Sequence, residues 1–374
     1  MSAKKKSADR VVAGAAPAAE LRESFPPIAL PIRPPFPPME AKSVKEIPRG
    51  DGWLYEPKWD GFRCVAFRKG NQVLLQSKAG QPLGRYFPEL VEAIAALPQP
   101  QFVLDGEIVV ESGGGLSFDD LLLRIHPAAS RIKKLSKETP ASLFVFDLLV
   151  DANGAVLTSE DLRARRDRLE RFFKLVKSRS VRSSPASEDY GEAQQWMTEM
   201  ATHGLDGVIA KRLNEPYLSG ERTGMVKVKR IRTADCVVGG FRYTQKGDDK
   251  IGSLLLGLYN EAGQLDHIGF TSSFTAEQRV ALKKVVEPLR GGEGFTGRAP
   301  GGPSRWATER SAEWVRLQPK LVVEVAYDHF SGGRFRHGTK FVRRRPDKAP
   351  RQCTMDQVQP KRDGKAIGRL FKAA

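Results

Sequence analysis

An α+β chain of two domains is the fold class the sequence predicts, and three observations carry that expectation. The 374 residues suffice for two cores of ordinary size. The first two thirds mix strand-like apolar runs with stretches of helical apolar spacing, so sheets and helices belong to one unit. From about Ala234 onward, short strand-like runs separated by turn residues dominate, with one helical stretch, which suits a small β-barrel.

Along the chain, residues 1–25 are rich in Ala and Lys and read as a flexible N-terminal arm; the proline clusters through Pro38 read as an extended strap. Phe62–Phe67 and Gln72–Gln76 flank Gly70-Asn71, a hairpin signal that puts Lys58 just before a strand pair. Leu90, Ile94 and Leu97 give a helix over Phe87–Leu97, and Phe102 to Val110 reads as a buried strand pair. Ser117 is an N-cap for a helix to Leu123 with Asp119 and Asp120 in its first turn. Leu143–Leu149 is a strand and Asp151–Gly154 a turn. From Asp161 to Val176, Leu162, Leu169, Phe172, Phe173 and Val176 form one helical stripe, and its arginines read as a solvated basic face. A helix over Tyr190–Thr202 leads through Gly204–Gly207 into the strand Val208–Lys211, and Val226–Lys229 follows. The second domain brings strands at Val237–Phe241, Ile251–Tyr259 and Leu321–Ala326, a helix over Thr275–Leu289 and a Gly/Pro-rich loop from Gly291 to Pro303.

A formal net charge of +17 points to a polyanionic partner, of which nucleic acid is one class. Cys64, Cys236 and Cys353 form no CxxC pair and have no histidine at zinc spacing, so neither a disulfide framework nor a structural zinc is expected, as suits a reducing cytoplasm. No apolar run approaches the ~20 residues of a membrane span, and the N-terminus lacks the apolar core of a secretory signal. No membrane association is expected.

The chemistry concentrates in Glu56-Pro57-Lys58-Trp59-Asp60-Gly61-Phe62-Arg63. A lysine amine attacks only when deprotonated, so Lys58 needs burial or neighbouring cations to act as a nucleophile. Asp105-Gly106-Glu107 and Asp206-Gly207 offer carboxylates for a divalent metal, and Lys211, Lys227 and Lys229 offer cations for a phosphate. Singly, each has a plain reading as a surface turn, a hairpin turn or a solvated strand face.

Together and in order, these segments resemble the covalent nucleotidyltransferases, above all the ATP-dependent DNA ligases. The resemblance extends to Ser77-Lys78-Ala79-Gly80, Phe144-Val145-Phe146-Asp147 and Arg345-Pro346-Asp347-Lys348. The stretch from Val323 to Lys348, with Arg334-Phe335-Arg336-His337-Gly338, is similar to the end of the small bacterial C-type ligases and of the ligase domain of D-type end-joining enzymes.

The resemblance implies an antiparallel-sheet nucleotidyltransferase (ATP-grasp-like) adenylation domain over 26–233, an OB-fold β-barrel over 234–352 and a basic tail over 353–374. It implies that Lys58 attacks the α-phosphate of ATP to give lysyl-AMP, with Asp60 orienting the site. Glu107 and Asp206 then bind ribose or metal, Asp206 standing where Glu is usual. Lys211, Lys227 and Lys229 contact the α-phosphate and lower the Lys58 pKa by repulsion. Phe146 packs on the adenine, Glu56 reads its edge, and Arg63 is a second phosphate or ribose ligand. Lys78 holds the nick 5′-phosphate where Arg is usual, and Met225 replaces a common aromatic. Arg345, Asp347 and Lys348 orient pyrophosphate during a domain closure about a hinge near Arg230–Ala234. From Phe341 to Ala374, 10 Lys/Arg against 3 Asp/Glu leave +7, a solvated tail or a DNA-tracking one.

ATP and Mg²⁺, with Mn²⁺ as an alternative metal, are the implied cofactors. Nicked duplex DNA is the implied partner, joined by a repair polymerase or end-binding proteins. A cytoplasmic, nucleoid-associated monomer is expected. The alternatives are an RNA ligase or capping-type nucleotidyltransferase, and a catalytically dead nucleic-acid-binding protein.

Overall fold

A computed structural model describes residues 24–198, 205–244, 250–301 and 313–359. Most of the expected arm, the tail from 360 and the last four residues of the helix expected over Tyr190–Thr202 lie outside them.

The first domain begins with β1 (Lys42–Val44), β2 (Trp53–Lys58), β3 (Phe62–Lys69), β4 (Gln72–Ser77), α1 (Pro88–Ala95) and β5 (Gln101–Ser112). It continues with β6 (Gly115–Leu116), α2 (Phe118–Leu123), α3 (Ala129–Glu138), β7 (Ala141–Val150) and α4 (Leu162–Lys174). Then follow β8 (Val181–Ser183), α5 (Tyr190–Thr198), β9 (Gly207–Arg212) and β10 (Met225–Lys229).

These strands make two sheets, one in the order β1-β10-β9-β2 and one in the order β4-β3-β5-β7-β8 with β6 on β5. The chain crosses between them just after Lys58, which ends β2 opposite Gly207, while Phe62 starts β3 opposite Ile108. The β3–β4 hairpin turns at Gly70, whose φ of +56° suits a residue without a Cβ. Asp105-Gly106-Glu107 lies in the middle of a single twelve-residue strand rather than between two paired strands. The β5–β7 register shifts between Asp105 and Gly106, which re-aims the two carboxylates.

Leu90 and Ile94 of α1 are buried in the core against Phe102 and Leu104. The strap contributes Ile28, Leu30 and Ile32 to a further cluster with Val65 and Phe67, so its apolar residues anchor it between prolines. Of the arginines of α4, Arg163 and Arg171 are exposed as the solvated face requires, and Arg165 departs from it. Arg165 is 2 % exposed and donates to both oxygens of Asp147, because the helix lies against β7 and a buried guanidinium needs a carboxylate there.

The second domain comprises β11 (Arg232–Tyr243), β12 (Ile251–Tyr259), β13 (Leu265–Thr271), α6 (Ala276–Val286), β14 (Val315–Arg316) and β15 (Val322–Tyr327). A small hairpin of β16 (Phe330–Ser331) and β17 (Arg334–Phe335) precedes β18 (Lys340–Arg344). The sheet order is β13-β12-β11-β15-β18 with β14 on β11. The named strands thus form an open path, and a closed barrel is not among their pairings. The reciprocal Thr275–Gln278 capping box starts α6 where the sequence placed a helix. Cys353 and Val358 complete this second core.

Candidate active site

A cavity of about 540 Å³ lies between the two sheets of the first domain. Its walls include Glu56, Lys58, Arg63, Lys78, Glu107, Phe146, Lys211 and Lys227, eight of the residues singled out from sequence, together with Met225. The glycines of the two turn motifs are needed by packing. A Cβ at Gly61 would meet the Ile108 carbonyl oxygen at 2.1 Å, and one at Gly207, with φ +142°, the Val228 oxygen at 2.0 Å.

Lys58 forms an ion pair with Asp206, whose backbone N–H also donates to the Lys58 carbonyl at 2.9 Å. Burial pulls the Lys58 pKa down, but Asp206, Glu107 and Asp60 together outweigh it, so the net direction is up. This reverses the expectation that neighbouring lysines lower it. Lys227 is the lysine that moves down, through burial first and then Lys58, Lys78 and Lys229. The Lys58 amine is therefore an ammonium at neutral pH.

Asp206 also has His329 Nε2 2.5 Å from its carboxylate. Although burial pushes upward, His329 and Lys58 hold Asp206 well below the usual carboxylate range. Glu107 behaves oppositely, because burial raises its pKa to about 7 against the pull of Arg63 and Lys58. Its side chain makes no hydrogen bond or ion pair among the described residues. That unengaged carboxyl in the cavity wall suits a hard divalent cation that keeps several waters, although no cluster of three or more ligating side chains exists among the described residues.

Arg63 is not free to bind a phosphate with its fork. Its Nε and Nη2 each donate to Asp105 at 2.6 Å, Nη2 also donates to the Met39 carbonyl at 3.1 Å, and Cζ lies 4.5 Å from the Phe146 ring centroid. Tyr217 ties this network together, donating to Asp105 at 2.6 Å and accepting from the Met39 N–H at 2.9 Å. Lys211 Nζ donates to Glu56 at 2.9 Å and sits 4.6 Å from the Phe146 centroid. Lys78 Nζ is 3.0 Å from Glu40.

Among the described residues, the second domain reaches this site through the segment from Asp328 to Arg336, which carries the β16–β17 hairpin. Lys229 donates to Asp328 at 3.0 Å, Arg336 donates to both oxygens of Asp60 at 3.0 Å, and the Gly332 N–H donates to Asp119 at 2.9 Å. Arg345 and Lys348 stay away from the cavity. Arg345 donates to Asp235 at 2.8 and 3.0 Å and to Asp347, and Lys348 lies 3.3 Å from Asp235. Tyr217, Glu40, Asp328 and His329 were not marked by the sequence reading, and Asp105, offered there as a metal carboxylate, is instead engaged by Arg63 and Tyr217.

Family comparison agrees with this architecture. Residues 38–229 match the ATP dependent DNA ligase domain, and residues 247–348 match the ATP dependent DNA ligase C terminal region. The chain is 46 % identical to DNA ligase C1 of Mycolicibacterium smegmatis over 339 residues, covering 88 % of this chain and 95 % of that protein. It is 43 % identical to DNA ligase C of Mycobacterium tuberculosis over 351 residues, with 88 % and 95 % covered. A solved Lig E DNA ligase shares the fold at a TM-score of 0.51 and 16 % identity, over 83 % of this chain and 99 % of that one. With both family regions matched in order on the two domains that build the site, the chain belongs to the ATP-dependent DNA ligases.

Proposed function

We propose that this protein seals 5′-phosphate/3′-hydroxyl nicks in duplex DNA at the expense of ATP, in DNA repair. The observation that carries this is Lys58 in the wall of a 540 Å³ cavity whose other walls carry Lys78, Lys211 and Lys227. The Lys58 amine, once deprotonated, attacks the α-phosphorus of ATP; an N–P bond forms, the bond to the leaving oxygen breaks, and pyrophosphate departs. The nick 5′-phosphate then takes the AMP from lysine, and attack by the 3′-hydroxyl expels AMP as the phosphodiester forms.

Lys211, Lys227 and Lys229 balance charge on the phosphate in transit, and arrival of that phosphate releases Lys229 from Asp328 and Lys58 from Asp206. Phe146 offers a ring for the adenine, Glu56 its edge contact, and Lys78 the nick 5′-phosphate. Arg63, engaged by Asp105, positions Phe146 and the strap. Glu107 and Asp206 are the residues that would hold Mg²⁺, which supplies neutralisation of phosphate charge when bound. Arg345, Asp347 and Lys348 approach the pyrophosphate after the second domain swings about a hinge near Arg230–Ala234. The bridge between Thr271, at the end of β13, and Thr339, just before β18, brings the two ends of the strand path together and supports an OB-type second domain, and the charge of +17 supports a DNA partner.

Sealing of a singly nicked duplex with ATP and Mg²⁺, against GTP as the control nucleotide, tests this reading. Lys58→Ala is expected to abolish the covalent AMP adduct on intact-protein mass spectrometry while still sealing a nick that already carries 5′-AMP. An adduct on Lys58→Ala rejects the assignment.

A further inference from the structure

We infer that Glu40 is a specificity-determining residue, a carboxylate that occupies Lys78 until a doubly charged terminal phosphate displaces it. The inference rests on the proposed role of Lys78 as ligand of the nick 5′-phosphate. Both residues line the cavity, with Glu40 Oε2 3.0 Å from Lys78 Nζ. Arg222 donates to the same oxygen through Nε at 3.1 Å, so the carboxylate sits between two cations. Its backbone is pinned on both sides: the Glu40 N–H donates to the Glu221 carbonyl at 2.7 Å and the Met39 N–H to the Tyr217 hydroxyl at 2.9 Å. The group is therefore delivered to this spot by the strap rather than swept there by a free loop. Its pKa is lowered by the Lys78 hydrogen bond first, against a smaller cost of burial, and it is ionised at neutral pH.

Charge decides what such a carboxylate does. An internal phosphodiester carries one negative charge, so exchanging the Glu40 carboxylate for it at Lys78 gains nothing electrostatically. A terminal phosphate carries about −1.5 to −2 at pH 7 and gains on exchange. Glu40 thus suppresses capture of continuous backbone by Lys78 and leaves the 5′-phosphate end as the ligand that wins. Glu56 and Glu107 do not serve this role, since Glu56 is paired with Lys211 and Glu107 faces the cavity without a cation of its own.

The test measures equilibrium binding of the full chain, freed of AMP with pyrophosphate, to nicked duplexes with a dideoxy 3′ end. One duplex carries a 5′-phosphate at the nick and the other a 5′-hydroxyl, and the readout is the ratio of the two affinities. Glu40→Gln is expected to raise affinity for the 5′-hydroxyl nick and to lower the ratio about 2- to 5-fold, the size of an exposed ion pair. In Lys78→Ala the ratio should also fall, and adding Glu40→Gln to it should change nothing further. A Glu40→Gln ratio equal to the wild type, with Lys78→Ala still reduced, overturns the inference and leaves the Lys78 assignment standing. A wild-type ratio in Lys78→Ala overturns the Lys78 assignment itself.

Discussion

Arg336 and Asp60, 276 residues apart, are joined by two 3.0 Å hydrogen bonds, and the Arg336 guanidinium carbon lies 3.7 Å from the Phe118 ring centroid. The pair fastens the second domain over Lys58 while Arg345 and Lys348 point toward Asp235. If Arg345 and Lys348 act in the reaction with ATP, this arrangement belongs to a later step. Arg336→Ala is expected to slow single-turnover sealing of a pre-adenylylated nick by about tenfold or more, as loss of a partly buried charged pair implies. Adduct formation with ATP should change less than threefold, since ~0.6 kcal/mol or less is at stake there. Equal slowing of both reactions contradicts the role.

Arg345→Ala and Lys348→Ala carry the opposite expectation. Reaction with ATP should fall by about 10²-fold if these cations meet the pyrophosphate, with sealing of pre-adenylylated DNA nearly preserved. Point substitutions are needed because truncation at Phe341 would strip β18 from β15 and uncover the buried Val323 and Val325. Equal losses in quench-flow assays of the two reactions exclude the pyrophosphate role.

The Lys58–Asp206 ion pair sets a pH dependence. The carboxylates raise the Lys58 pKa, so kcat/KM for adduct formation, which reports the free enzyme, should climb with pH into the alkaline range. Asp206→Asn removes the largest of the raising influences while burial still pulls downward. The midpoint should therefore move to lower pH, even as the maximal rate drops. An unmoved midpoint in the kcat/KM profile means that Asp206 does not control the nucleophile.

Glu107 makes the site costly to the fold. Its pKa rises from an unfolded value of about 4.3 to about 7 in the folded protein. The folded state therefore binds more protons between those values, and stability falls as pH rises through that window. Glu107→Gln should abolish this loss and stabilise the metal-free, nucleotide-free protein at pH 8 by on the order of 1–3 kcal/mol, while depressing sealing. Denaturant unfolding at pH 5 and pH 8 checks it; a larger pH dependence in the variant contradicts it.

What the sequence determined alone was local. Lys58 was legible because Lys-x-Asp-Gly places a lysine before a glycine that close packing on Ile108 requires, and α4 because Leu162, Leu169 and Phe172 make an apolar stripe. α3 was not legible, since Ile132 is its one buried residue and its other apolar spacing is too sparse to give a period. Tertiary structure decided the electrostatics and the partners. Arg165 looked solvated until β7 brought Asp147 against it, and Lys58 looked set for a lowered pKa until β2 and β9 paired Lys58 with Gly207, next to Asp206. Arg345 and Lys348 both reach Asp235, and their distance from the cavity depends on how one domain sits on the other. Periodicity and turn chemistry act between near neighbours in the chain, whereas a charge responds to whatever folding brings within a few ångströms, however far away in sequence.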